Sequence, residues 1–137
     1  MLFRSPTAGV TVIGARFFLI AFNAVLETAD LAVARAVARR VRESGGGLPA
    51  VRAMGVYLAS RDRAQVSMNL VDFRRTSLFV ALERVRREAE AEGTRVLETE
   101  VIGLVPEAAI WGALGEALQC PVLGGERVLE ERLRAPG

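Results

Sequence analysis

The polar side chains between Arg63 and Phe73 are the residues of this sequence best suited to binding chemistry. The letters RAQVSMNLVDF alternate between apolar and polar residues, which is the two-residue period of a β-strand. One face of such a strand presents an amide, a hydroxyl and a second amide, from Gln65, Ser67 and Asn69. Groups of this kind either face solvent or exchange hydrogen bonds with a ligand or partner. The pattern by itself favours the solvated face, because antiparallel sheets commonly have one.

The sequence lacks the side chains on which most catalytic and metal sites depend. It contains no histidine, so the chain itself offers no imidazole as a general base, general acid or metal ligand. The single cysteine, Cys120, cannot form a disulfide within the chain and has no cysteine or histidine neighbour. We therefore predict no catalytic residue and no metal site in this chain, and we interpret Cys120 as a small buried hydrophobic residue.

The composition is that of one globular domain rather than of a membrane or nucleic-acid-binding protein. The 137 residues are 51% hydrophobic and 25% charged, which suits a single folded core. All 18 basic residues are arginines, but 16 carboxylates alternate with them and reduce the net charge to +2. The apolar run Phe17 to Phe22 is too short to cross a bilayer. We expect a cytoplasmic protein that binds neither nucleic acid nor a membrane.

Periodicity and capping signals predict the order strand, helix, strand, strand, helix, strand, followed by further helices. Residues 1–10 show no periodicity and are predicted to form an incoming arm, so that the domain proper spans residues 11–137. The first helix is capped by Thr28 or Asp30, the second by Thr76 or Ser77, and a third follows Pro106. The predicted strands are Thr11–Asn23, Val51–Leu58, Arg63–Phe73 and Val96–Val105, and a weak helical pattern covers Val128–Leu133.

This element order predicts an α+β fold of the ferredoxin-like βαββαβ type. Right-handed crossovers and a central hairpin give a four-stranded antiparallel sheet with two helices on one face, plus C-terminal helices. The other face of the sheet, which holds Gln65, Ser67 and Asn69, is then bare. With the apolar side chains of the first strand it would be a large exposed patch for a monomer. We expect another copy of the chain, a second domain or the third helix to cover it.

A second line of inference comes from separate segments distributed along the chain. They are GARFFLIAFN (Gly14–Asn23), AMGVYL (Ala53–Leu58), QVSMNLVDF (Gln65–Phe73), VRREAEAEG (Val85–Gly93), VIGLVPEAA (Val101–Ala109) and VLEERL (Val128–Leu133). In this order and near this spacing they resemble the C-terminal subdomain of glutamate formiminotransferase, over nearly the whole chain from about Pro6 onward. The chain departs from that family's pattern at Phe17, where the family usually has lysine, and in a shortened stretch between Gln119 and Val128.

The resemblance implies a module that transfers a formimidoyl or formyl group between glutamate and tetrahydrofolate, in histidine breakdown. Such a module has two ferredoxin-like subdomains whose sheets face each other, with the folate in the cleft and the catalytic histidine on the N-terminal subdomain. This chain has no histidine. The resemblance therefore implies a folate-binding half that shares tetrahydrofolate with a separate N-terminal subdomain and is active only in complex with it.

The strand pattern and the resemblance together predict that folate binds to the bare face of the sheet. Amides on a rigid strand suit the donor and acceptor edges of a pterin, and an arginine suits a glutamate carboxylate. We predict cofactor-binding roles for Gln65, Asn69, Arg16 and Asn23, in that order. Each also has a structural explanation: Asn23 ends its strand, Arg16 pairs with an acidic residue such as Glu100, and the amides bridge strands.

The sequence also allows a different class of function. A non-catalytic ferredoxin-like homodimer could bind a small ligand or another protein, with the polar row facing its two-fold axis. An independent enzyme is disfavoured, because no paired carboxylates have a spacing that indicates shared acid–base work. Asp72 lies just before Thr76, which favours a capping or turn role for its carboxylate over an acid–base role.

Overall fold

The computed structural model describes residues 2–5, 9–12, 14–15, 17–121 and 123–134. Six strands and four α-helices lie in these ranges, and two short 3₁₀ turns accompany them. The strands are β1 (Leu2–Ser5), β2 (Gly9–Val12), β3 (Ile20–Leu26), β4 (Val51–Leu58), β5 (Arg63–Leu70) and β6 (Val96–Ile102). The helices are α1 (Leu31–Val41), α2 (Leu78–Ala91), α3 (Glu107–Ala117) and α4 (Leu129–Arg134).

Strands β3 to β6 form a single antiparallel sheet in the order β4-β5-β3-β6. Strands β4 and β5 are a hairpin, and β3 lies between β5 and β6. Helix α1 connects β3 to β4, and α2 connects β5 to β6. The predicted α+β fold is therefore confirmed, and its element order and antiparallel pairing are consistent with the ferredoxin-like arrangement.

The hydrophobic core lies between the sheet and the first two helices. Strand β5 buries Val66, Met68 and Leu70 completely or nearly so, as its alternating pattern predicts. Burial of each such side chain stabilises the fold by about 1.5–3 kcal/mol. The opposing layer consists of the buried apolar side chains of the helices, which are Ala34, Val37, Ala38 and Val41 on α1 and Ala81, Val85 and Ala89 on α2.

Helices α1 and α2 are each capped by one of the two residues predicted for that role. Asp30 Oδ1 accepts a hydrogen bond from Ala32 N at 2.7 Å, and Ser77 Oγ accepts one from Val80 N at 3.2 Å. Thr76 has a different role, because its hydroxyl donates to the Pro49 carbonyl at 2.6 Å. That bond ties the start of α2 to the loop before β4.

The N-terminal region differs from the prediction in two ways. The arm predicted without an element contains β1 and much of β2, which pair antiparallel with each other. The predicted strand Thr11–Asn23 is wrong at both ends, since β3 begins at Ile20 and continues to Leu26. It continues because Ala24, Val25 and Leu26 are all buried and pair with neighbouring strands. Asn23 therefore lies inside β3 and does not end it, and the boundary after residue 10 stays a prediction.

Helix α3 does not cover the bare face of the sheet. It packs against α2, and Ala109 joins the core on the helical side. Two strands also end earlier than predicted, β5 at Leu70 and β6 at Ile102, where Gly103 adopts a φ of 80°. Among the described helices, none has the length and apolar character required to span a membrane.

Candidate functional site

The sheet face opposite the helices carries the residues that were predicted to bind a ligand, and we call it the open face. Its members follow from the strand register, because directly paired residues project to the same side of a sheet. They are Arg52, Met54, Val56 and Leu58 on β4, Arg63, Gln65, Ser67 and Asn69 on β5, Ala21, Asn23 and Val25 on β3, and Glu98, Glu100 and Ile102 on β6.

Three of the four predicted residues share this face. Gln65 and Asn69 lie on the central strand β5, and Asn23 lies on the adjacent strand β3, directly opposite Ser67. Asn23 is therefore diagonal to both amides of β5, about 7–8 Å from each. Arg16 lies outside the described residues, so both its predicted carboxylate contact and its alternative pairing with Glu100 stay predictions.

Gln65 is the most unusual of the three amides, because it is only 6% exposed. Its neighbours across the two adjacent strands are Val56 and Val25, whose side chains offer no hydrogen bond. Within the described ranges, no hydrogen bond joins the side-chain amide of Gln65, Asn23 or Asn69 to another residue. The amides therefore do not bridge strands there. The residue is nearly buried, but its amide atoms are not among the buried side-chain atoms that lack a partner, so the amide is the part of Gln65 that reaches the surface. Its donor and acceptor are therefore available to a partner.

Arg52 is a candidate binding residue that the sequence prediction missed. It lies directly opposite Asn69 on the edge strand β4 and is exposed. Together with Ala53, Met54, Ser67 and Asn69, Arg52 lines a depression of about 130 Å³. The predicted hairpin offered the signal that could have identified it, because the register of β4 against β5 places Arg52 beside the amide row.

An ion pair crosses the sheet at the other end of the open face. Arg61, in the turn between β4 and β5, pairs with Glu98 on β6, although β5 and β3 lie between these elements. Val25 lies at the same end, opposite Glu98, and is only 1% exposed. The open face is thus better covered near Val25 and Gln65 than at Asn69, which is exposed.

We expect the pKa of Glu98 to lie below its ordinary value, because the Arg61 guanidinium donates a hydrogen bond to the carboxylate and adds a favourable charge interaction. Since the pKa of Glu98 is lower in the folded chain than in the unfolded chain, this pair stabilises the fold at pH values above the ordinary carboxyl pKa. The stabilisation is lost as the pH falls through the pKa of Glu98 in the folded chain. An NMR pH titration of the Glu98 carboxyl carbon should show an increased pKa in Arg61→Met. Arg63→Met, on the same face, should leave it unchanged, and an unchanged value in Arg61→Met would contradict the prediction.

The charges of the open face are divided between its two halves, with arginines on the β4–β5 side and carboxylates on β6. Arg52 and Arg63 lie on β4 and β5, whereas Glu98 and Glu100 lie on β6. Amides, a hydroxyl and small apolar side chains occupy the area between them. The large side chains of β3 that were expected to make this face apolar, Ile20 and Phe22, are instead buried in the core. The face is therefore polar and charged, with scattered apolar residues.

Asp72 has the turn role that its position favoured. Its carboxylate accepts hydrogen bonds from the Arg74 backbone N–H at 3.1 Å, from Nε at 2.9 Å and from Nη2 at 3.0 Å. The bonds from Arg74 lower the pKa of Asp72. The Arg74 guanidinium lies 3.8 Å above the centroid of the Phe17 ring. A cation is thus present beside Phe17, although the side chain at that position is uncharged.

The described cysteine and carboxylate side chains do not form a metal site. Across the described ranges, no group of three or more cysteine or carboxylate side chains is placed to hold a metal ion. Cys120 follows α3 and was predicted to be buried. Its side chain is only partly buried, so the prediction is wrong on the extent of burial. It lies where the chain turns after the helix, and its backbone N–H donates to the Gly115 carbonyl at 2.7 Å.

The amino-acid sequence of this chain is similar to those of known transferases. The family model of the formiminotransferase domain matches residues 21–115. A glutamate formimidoyltransferase of Streptococcus pyogenes serotype M1 is 47% identical over 105 residues, and one of Thermoplasma acidophilum is 36% identical over 126 residues. A formimidoyltransferase-cyclodeaminase of Mus musculus is 42% identical over 115 residues. The matched regions cover 77%, 92% and 79% of this chain, but only 35%, 42% and 21% of these relatives.

Proposed function

Since the chain belongs to the formiminotransferase domain family, we propose that it is the folate-binding C-terminal half of a glutamate formimidoyltransferase. In this proposal it acts in the cytoplasm and shares tetrahydrofolate with an N-terminal subdomain that carries the catalytic histidine. Two facts support a division of labour: the chain contains no histidine, and it spans less than half of the length of the relatives it matches. Transfer of a formimidoyl or formyl group between glutamate and tetrahydrofolate then requires both halves.

The observation that carries the proposal is the amide of the nearly buried Gln65 on the open face. The flanking valines exclude water from its sides and provide no acceptor or donor. A pterin ring has both donors and acceptors along its edges, so it can satisfy a carboxamide in both directions. The nearly buried stem of Gln65 holds this amide in place at the surface of the face, and this makes Gln65 the strongest candidate contact.

The spacing of the amides supports contacts with different parts of the ligand. Gln65 and Asn69 are four residues apart on β5, which separates their Cα atoms by about 13 Å along the strand. This distance exceeds the length of one two-ring heterocycle. Asn23, which is diagonal to Gln65, would assist it at the ring, whereas Asn69 would contact a more distant part of the same molecule. Arg16 stays the predicted contact for a glutamate carboxylate.

The proposed partner covers the open face and encloses the folate against it. The face has no cover from any helix of the described ranges, and its edges carry opposite charges. A partner with carboxylates opposite Arg52 and cations opposite Glu100 would complement this pattern. Exclusion of water by the partner would also strengthen the hydrogen bonds to the amides.

Reconstitution tests the proposal directly. The full 137-residue chain is mixed with a separately produced N-terminal formiminotransferase subdomain, and formimidoyl transfer from formiminoglutamate to tetrahydrofolate is measured. We expect transfer in the mixture and co-purification of the two halves. Neither half alone should be active, nor should a mixture in which the catalytic histidine of the N-terminal subdomain is replaced by alanine. Absence of both transfer and co-purification would overturn the proposal.

The charge pattern also supports the second candidate, a non-catalytic homodimer formed through the open faces. A two-fold axis parallel to the strands would place the β4 edge of one copy, with Arg52, against the β6 edge of the other, with Glu100. The molecular mass in solution and a folate titration separate the two candidates. A stable dimer that does not bind folate would favour the homodimer, whereas a monomer that binds folate would favour the transferase half.

A further inference from the structure

A second depression borders the sheet at its β4 edge, next to the end of α1. It has a volume of about 330 Å³. Because β4 is the edge strand, this depression is accessible from the side of the sheet and does not require the open face to be uncovered. Its lining combines two arginines with a hydroxyl, in the set Arg42, Glu43, Ser44, Val51, Arg52 and Ala53.

Arg42 is the feature of this depression that calls for a ligand. Its Nε is buried and has no hydrogen-bond partner within the described ranges. The position of Arg42 directly after the last turn of α1 explains a positive charge there, since cations stabilise helix C-termini. It does not explain a buried N–H without an acceptor, which is an uncommon and costly arrangement.

The other charged groups leave the depression with a surplus of positive charge. Arg52 is a second arginine whose side chain has no hydrogen bond or ion pair within the described ranges. The only carboxylate in the lining, that of Glu43, is directed to Arg75, with Nη2 to Oε1 at 3.4 Å. Ser44 adds a hydroxyl. The two guanidinium groups therefore offer more donors than the Glu43 carboxylate can accept.

We propose that this depression is an oxyanion-binding site that takes a carboxylate or phosphate group between Arg42 and Arg52. A guanidinium donates in a planar fork that matches the oxygens of either group. Arg42 would present its two Nη groups, which are not among the buried atoms, whereas its buried Nε reaches an anion only if the side chain turns toward the depression. The Ser44 hydroxyl would provide a further hydrogen bond. Arg42, Glu43 and Ser44 lie outside the open face, whereas Arg52 lines this depression and the smaller one beside Asn69. The two sites therefore adjoin at Arg52, and anion binding at Arg42 is tested on the chain without folate.

NMR of arginine Nε–Hε groups tests the site with simple anions. The Arg42 cross-peak is assigned by its absence in Arg42→Met, a change that keeps most of the aliphatic stem. The full-length wild-type chain is titrated with inorganic phosphate, with L-glutamate and with chloride at matched ionic strength. We expect a saturable shift of the Arg42 cross-peak with phosphate or glutamate but not with chloride, and the responding anion identifies the ligand class.

The Arg52→Met variant tests whether the two arginines act together. Loss of one charge-assisted contact should weaken anion binding at the Arg42 cross-peak about tenfold or more. Arg39→Met, which removes an exposed arginine of α1 outside the depression, should leave the titration unchanged. A shift that does not saturate, that chloride reproduces, or that is equal in Arg52→Met would overturn the proposal. Because the cross-peak is read in folded wild-type protein, and triple-resonance experiments on that protein also assign it, the titration stands even if one variant fails to fold.

Discussion

Replacing Gln65 by methionine is expected to weaken folate binding about 10- to 100-fold while changing the free energy of unfolding by less than about 1 kcal/mol. The two effects differ in size because the amide keeps contact with solvent and has no hydrogen-bond partner in the described ranges, so the fold loses no bond when the amide is removed. Methionine has a similar length and a flexible thioether, so it can pack between Val56 and Val25 without a polar group to satisfy. Calorimetric titration of the reconstituted complex with tetrahydrofolate gives the affinity, and urea unfolding of the chain alone gives the stability.

A variant of a neighbouring residue separates this effect from a general disturbance of the open face. Met54→Leu changes an exposed apolar side chain of the same face and removes no hydrogen-bonding group. It should leave the folate affinity within about twofold of wild type, because an apolar swap at an exposed position costs little. A Gln65→Met variant that binds folate as well as wild type would remove Gln65 from the site. A marked loss of stability in that variant would show that the amide is structural.

The fold was largely predictable because its central elements carry strong local signals. The alternation of β5 assigned Val66, Met68 and Leu70 to the core, and Asp30 and Ser77 mark the starts of the two packed helices. The first strand was misplaced because Thr11 to Phe22 is uniformly rich in β-branched and apolar residues, so its pattern contains no boundary. Only pairing with β5 and β6 determines where β3 begins and ends.

The candidate site was predictable only where one strand carries several members. Gln65 and Asn69 share β5, so their common face follows from the period of the strand. Arg42 and Arg52 are ten positions apart, at the end of a helix and within a strand, and each resembles an ordinary surface arginine in the sequence. Their proximity depends on how α1 packs on β4, and no local pattern reports that packing.

The packing of α1 on β4 supplies the second large expected effect: Gly55→Ala should lower the free energy of unfolding by about 1–3 kcal/mol. A methyl group at Gly55 would lie 2.6 Å from Arg35 N and 2.8 Å from Ala34 C, both in the backbone of α1. Backbone atoms cannot move aside as the end of a flexible side chain can, so helix and strand must separate. The separation would loosen contacts of the buried α1 residues as well. Urea unfolding monitored by circular dichroism measures the loss.

Gly112→Ala is the matched control, because it adds the same methyl group to a glycine that has space around it. Gly112 lies in α3, and no atom beyond its chain neighbours and the backbone of its own helix turns lies within 4 Å of the position that its Cβ would occupy. Alanine is the better helix former by about 1 kcal/mol, so this variant should be slightly more stable than wild type. Equal destabilisation by both variants would indicate a general sensitivity to added methyl groups. We expect only Gly55→Ala to lose stability. Of these two glycines, Gly55 alone lacks room for a methyl group, because α1 lies so close to β4 there.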